Sequence, residues 1–116
     1  DRSMCLNNLK KGFWALAELT HQYDLNLYLM TYPIPKSALE YALNPDIKSK
    51  QTDFVSVNWL VNKEKRKAAQ AYDLQMIDAA ECMSGKPNWY WHADGLHLKP
   101  QGAEAHSKCI IESLSH

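Results

Sequence analysis

Leu6, Leu9, Phe13 and Ala17 recur at helical spacing, with Lys10, Lys11 and Glu18 mostly on other faces. This pattern predicts a helix over residues 6–22. Asp24 and Asn26 bracket a turn, and the run LNLYLMTY that follows, residues 25–32, is apolar or aromatic at nearly every position. A strand covered on both faces reads this way, as in a parallel sheet. Pro33 and Pro35 end it, because proline donates nothing to a sheet ladder. Residues 36–52 are ambiguous. Within them residues 37–43 can form a short helix, and Asn44-Pro45-Asp46 reads as a turn. Asp53 is placed as the N-cap of a helix over residues 54–72, whose apolar face runs through Phe54, Val57, Val61, Ala68 and Tyr72. Residues 74–79 (LQMIDA) predict a second short strand. A polar and aromatic loop passes through Ser84-Gly85-Lys86-Pro87 to Trp91, and a last helix starts near Pro100, a residue suited to the first helical position.

The order is helix, strand, helical crossover, strand, loop, helix. That is the grammar of an α/β domain with parallel strands. Two strands make a poor sheet, and the first reads as central, so the pattern predicts the C-terminal part of a larger α/β unit.

Composition narrows the classes. The chain has 116 residues, enough for one small domain. Lys plus Arg number 13 and Asp plus Glu number 13, so no net charge draws it to nucleic acid or an anionic membrane. The cluster Lys63, Lys65, Arg66 and Lys67, with Glu64 inside it, reads as a solvated helix face. No stretch approaches the roughly 20 apolar residues of a membrane-spanning helix. The three cysteines, Cys5, Cys82 and Cys109, are an odd number, so at least one is free or pairs outside the chain. Three buried thiols, a Cys82–Cys109 bridge and a bridge to a partner all remain open.

Candidate chemistry concentrates in Trp91-His92-Ala93-Asp94-Gly95-Leu96-His97-Leu98-Lys99-Pro100-Gln101-Gly102, where a loop that follows a strand meets a helix N-terminus. Sites of open α/β sheets form at the carboxyl ends of strands. Asp94 and His97 are three apart, and Gly95 permits a tight bend between them. A carboxylate so placed can fix the imidazole tautomer and stabilise its charged form, which is two thirds of a Ser-His-Asp site. His92, Asp94 and His97 are also of zinc-ligand type, but their spacing is no strong metal signature. Trp91, with Trp89 and Tyr90, and Tyr32 at the end of the first strand are candidates for lining a substrate pocket.

The stretch Asp94 to Gly102 resembles the last conserved block of the SGNH, or GDSL-type, hydrolases, where a D-x-x-H element precedes the C-terminal helix. Asn7-Asn8-Leu9 through His21 resembles the helix after that family's third block, LYLMTYPIP the next strand, and Val57-Asn58 through LQMIDA the helix and strand before the D-x-x-H loop. The resemblance spans nearly all of the chain, and only the D-x-x-H block is specific. It implies a three-layer α/β/α fold with a flavodoxin-like parallel sheet, residues 1–116 being the C-terminal part of one such domain, completed by a missing or separate N-terminal segment. It also implies ester hydrolysis with Asp94 and His97 as catalytic residues and no metal or organic cofactor. The implied partners are an ester substrate and the N-terminal chain or segment that carries the nucleophilic serine.

The departures are large. The GDS-type block, the second-block glycine and the third-block asparagine are absent. Ser3, Ser37, Ser49, Ser56, Ser84, Ser107, Ser113 and Ser115 have no GDS-like context, and Asn7 and Asn8 lack the G-x-N-D surroundings. The chain is therefore not expected to be active alone. Two other classes are carried beside this one: a structural subunit that keeps the fold without catalysis, and a carbohydrate or small-molecule binding module that uses Trp89 to Trp91.

Overall fold

The computed structural model describes residues 2–46 and 54–115. In chain order the elements are α1 (Arg2–Tyr23), β1 (Tyr28–Met30), α2 (Lys36–Leu43), α3 (Phe54–Tyr72), β2 (Gln75–Ile77), α4 (Ala79–Met83) and α5 (Pro100–Leu114), with a 3-10 turn at Asn88–Tyr90 before α5. The predicted cap Asp53 and the second half of the ambiguous segment lie outside the described residues.

The expected three-layer α/β/α fold with its flavodoxin-like sheet is not what these residues form. They are mostly helical, and their sheet has two parallel strands of three residues each, in the register Tyr28 to Gln75, Leu29 to Met76 and Met30 to Ile77. The reason is countable. A broad parallel sheet needs many strand-forming segments, and the described residues have two. Both are also shorter than the apolar runs that predicted them. The first starts late because Asp24 is spent on ending α1, and its ladder stops after the Thr31 amide reaches the Ile77 carbonyl at 3.2 Å. The second stops at Asp78, which caps α4 by accepting from the Glu81 amide. The body measures 43 × 37 × 17 Å, with a radius of gyration of 15.3 Å. A compact domain of this length has a radius nearer about 13 Å, so the molecule is flat.

The two helix-to-strand connections share one device. Tyr23-Asp24-Leu25 ends α1 and Tyr72-Asp73-Leu74 ends α3, and both aspartates adopt φ 52°. In each, the leucine amide reaches back five residues to a helix carbonyl: Leu25 to Thr20 at 3.0 Å and Leu74 to Ala69 at 2.9 Å. This is the left-handed stop that satisfies orphan carbonyls. Aspartate tolerates the left-handed region better than most residues with a side chain.

Three apolar clusters hold the chain together. Phe13 and Ala17 of α1 meet Ala68 of α3, Leu29 and Leu74. Ile34, Ala42 and Val55 join α2 to α3. Met83, Trp91 and Cys109 fix α4 and the following loop to α5. The buried face of α3 is turned from the predicted one: Val55, Ser56, Asn62 and Ala68 are buried, whereas Phe54 and Val57 are exposed. The helix is covered from two sides, by α1 and by α2, so its apolar pattern is not a single stripe. Cys82 and Cys109 form a disulfide that links α4 to α5, and Cys5 is free and exposed. No helix of the described residues is long and apolar enough to cross a membrane.

Candidate active site

The site is a short hairpin standing in front of α5. Its stem pairs Trp91 with Leu98 in an antiparallel bridge. The Lys99 amide donates to the Tyr90 carbonyl and the His92 amide to the His97 carbonyl, both at 2.8 Å. The Gly95 amide closes a turn on the His92 carbonyl at 3.0 Å. Gly95 sits at φ 70° and is buried against Ala38, Pro35 and Val55, so a side chain there would be strained by its backbone. Behind the stem, Gly102 lets the first turn of α5 lie on the hairpin, since a Cβ at this position would run into the Tyr90 carbonyl.

Within the loop the two oxygens of Asp94 do different things. Oδ1 accepts from the Leu96 amide at 2.9 Å and the His97 amide at 3.0 Å, and Oδ2 lies 2.6 Å from His97 Nδ1. A carboxylate only accepts, so Nδ1 carries the proton of this bond and Nε2 of the neutral ring is left as an acceptor. The hydrogen bond from His97 holds the Asp94 carboxyl well below the usual carboxylate range, and the two amide bonds add to it. Both side chains are solvent-facing, His97 three-quarters so.

A cleft of about 370 Å³ opens beside His97, where the carboxyl end of β1 meets the hairpin and α5. Met30, Pro33, Leu96 and Leu98 give it apolar walls. Its polar groups are mostly committed to protein partners. The Thr31 hydroxyl donates to Asp78 at 2.7 Å, the Tyr32 hydroxyl to the Leu96 carbonyl at 2.7 Å, and Lys65 Nζ to the Met30 carbonyl at 2.8 Å. Burial pushes the His106 imidazole and the Lys65 ammonium downward. No serine is among the residues that line this cleft.

The structure brings Asp94, His97 and Tyr32 together around this hairpin. Trp91, in the hairpin stem, does not line the cleft beside His97: it is 3% exposed and packs on Met83 and Cys109. Trp91 also borders a second cleft of about 420 Å³ on the Gly95 side of the hairpin, with Ser37, Asn88, Trp89 and His92. Trp89 is exposed there. Among the described residues no three His, Cys, Asp or Glu side chains converge as metal ligands.

Sequence reasoning missed two supports. Asn62 is 2% exposed, and its side chain bonds both the amide and the carbonyl of Tyr32, at 2.7 and 2.8 Å. Of the two asparagines of α3, Asn58 and Asn62, only Asn62 is buried, and nothing in the spacing distinguished them. Asp78 accepts from Arg66 at 2.8 and 2.9 Å and from Thr31, tying the ends of β1 and β2 to α3. Burial works against the Asp78 charge, but the bonds from Arg66, Thr31 and Glu81 outweigh it, and its carboxyl lies below the usual range. The basic cluster on α3 is largely occupied: Arg66 with Asp78, Lys65 with the Met30 carbonyl, Lys67 with Glu64 at 3.5 Å, and Lys63 over the Trp59 ring at 4.6 Å.

Compared with protein-family models, the sequence matches none, and it matches no curated protein. Among solved structures the chain is similar to the esterase domain of the ZfL2-1 ORF1 protein from the zebrafish ZfL2-1 retrotransposon. The TM-score is 0.62 at 20% sequence identity, and the match covers 94% of this chain. The chain spans 58% of the length of that structure. At this identity the likeness is one of fold, and the fold is esterase-like.

Proposed function

We propose that this chain supplies the Asp-His half of an SGNH-type serine ester hydrolase. The observation that carries the reading is the 2.6 Å contact between Asp94 Oδ2 and His97 Nδ1, which leaves Nε2 as a base on an exposed ring beside an apolar cleft. The esterase-like fold supports it.

In this reading a serine from an N-terminal segment or chain outside this sequence meets His97. Its Oγ bonds to the ester carbonyl carbon as Nε2 takes the hydroxyl proton, and Asp94 stabilises the imidazolium that forms. The tetrahedral intermediate collapses, the carbon–alkoxy bond breaks, and Nε2 returns the proton to the leaving alcohol. Water then attacks the acyl group, again losing a proton to Nε2, and the serine leaves with that proton. The oxyanion donors come from the same outside segment. The apolar walls of the cleft favour an apolar substituent, and the Tyr32 ring forms part of them. No cofactor takes part in these steps.

A second reading rests on the other cleft. Exposed Trp89 beside Asn88, Ser37 and His92 offers a flat apolar face with polar groups around it, which suits a sugar ring. It predicts carbohydrate binding that survives His97→Ala and is lost in Trp89→Ala, read by calorimetry.

The test of the first reading is fluorophosphonate labelling of the full protein that contains this chain, followed by intact mass. A labelled serine on the companion segment, with labelling abolished by His97→Ala, is the expected result. Undiminished labelling in His97→Ala removes His97 from the mechanism. Recovery of the native material with no labelled serine at all leaves a non-catalytic subunit in its place.

A further inference from the structure

The Asp94–His97 loop is exposed and short, and its shape depends on where the Leu96 carbonyl is held. One side chain from another element reaches that carbonyl: Tyr32, 64 residues earlier, donates its hydroxyl at 2.7 Å. Tyr32 follows β1 in extended chain ahead of Pro33 and belongs to neither strand. What fixes it is Asn62 of α3, which clamps its amide and its carbonyl at once and is itself buried. An asparagine that satisfies both backbone groups of one residue acts as a strand neighbour would, and it sets the height of the phenol over the loop. The line is therefore continuous from α3 through Asn62 and Tyr32 to Leu96, whose own amide closes the turn on Asp94 together with the amide of His97.

We propose that Tyr32 and Asn62 are positioning residues for the Asp94–His97 pair, with the Tyr32 hydroxyl as a brace on the loop and not a substrate-binding group. Two further observations agree. The hydroxyl is already committed to a backbone carbonyl, so its proton is not free for a ligand. Burial and the nearby Asp94 charge both push the phenol upward, so it stays a donor across the neutral range. The catalytic consequence rests on the hydrolase reading above, but the mechanical claim does not.

The experiment uses the full protein containing this chain, with Tyr32→Phe as the variant that keeps the ring and removes the donor. Amide exchange of Leu96 and His97, both bonded to Asp94, should quicken by about 10-fold, the scale of one lost hydrogen bond, while amides inside α5 keep their rates. The hydrogen-bonded His97 Nδ1 proton should broaden or vanish from the proton NMR spectrum. With an ester substrate, kcat should fall by about 10-fold at unchanged KM. In the unmodified protein, the Leu96 carbonyl carbon shift should step at the pH where Tyr32 ionises, because a phenolate cannot donate. This last readout decides the matter even where Tyr32→Phe does not fold. Unchanged loop exchange with an unchanged Nδ1 proton, or no step at the Tyr32 ionisation, overturns the brace. If the protein turns over no ester, the exchange and NMR readouts still stand, so the two readings fail separately.

Discussion

The two ends of this chain are built from helices of similar kind and finished very differently. At the C-terminal end, α4, the hairpin and α5 close on a buried cluster of Met83, Trp91 and Cys109, with the Cys82–Cys109 bridge beside it. At the N-terminal end, α1 buries Phe13 and Ala17 but leaves Trp14, Leu16, Leu19 and Tyr23 in solvent. Leu25, Tyr28 and Met30, further along the chain into β1, are exposed as well. The difference teaches that local rigidity and global closure are separate properties here. The hairpin that carries Asp94 and His97 lies against the first turn of α5, while the sheet beside it has two short strands among the described residues.

The largest expected effect tests whether the braced end carries chemistry. In a protein with hydrolase activity, Asp94→Asn should lower kcat on the order of 10³- to 10⁴-fold, through loss of the correct imidazole tautomer. The melting temperature should barely move, since both side chains are exposed. The same hydrogen-bonded pair gives a pH signature. The Asp94 carboxyl is depressed in the folded state, so its interaction is complete above the ordinary carboxylate range and lost only as pH falls through its lower folded value. Chemical shifts of the His97 ring should show no Asp94-linked step across the ordinary range, and a step there would break the assignment.

Next in size is the packing of that end. Gly102→Ala should destabilise the protein by about 3 kcal/mol or more in thermal or urea unfolding, because the obstacle is backbone and cannot turn away. Reducing Cys82–Cys109, whose loop spans 27 residues, should cost about 3 kcal/mol, seen as a lower melting temperature in dithiothreitol. A stability unaffected by either change would mean that the C-terminal end is no better held than the N-terminal one.

A smaller effect belongs to the junction between the ends. Asp78→Asn keeps a capping oxygen but loses the charge that faces Arg66, and should cost about 1 kcal/mol at neutral pH, both partners being a third or more exposed. Because Asp78 is depressed on folding, the difference from the parent should shrink as pH falls through its folded value. The smallest effect on stability belongs to the exposed face. Leu19→Ser with Tyr23→Ser should shift unfolding by no more than about 0.5 kcal/mol, yet reduce self-association in sedimentation velocity. A large loss of stability would show that α1 is more deeply engaged than its exposure implies.

Much of the site was legible because its logic is local. The spacing of Asp94 and His97, the bend at Gly95, and Pro100 and Gly102 at the start of α5 lie within nine residues, and short-range sterics and hydrogen bonds decide such geometry. The extent of α3 over residues 54–72 and the start of α5 at Pro100 were legible too, although the face that α3 buries was not. The sequence also carried the two Tyr-Asp-Leu stops that aim both strands, though only the matching φ angles reveal their equivalence. What the pattern could not decide was everything joined across long stretches of chain: the width of the sheet, the bridge between Cys82 and Cys109, the burial of Trp91, and the reach of Tyr32 to Leu96. An apolar run states that a strand wants cover, not how many neighbours exist to give it. A buried asparagine looks like any other polar residue until the backbone it clamps is placed beside it. Local spacing fixed the pair, and packing between distant segments fixed where that pair stands and what holds it there.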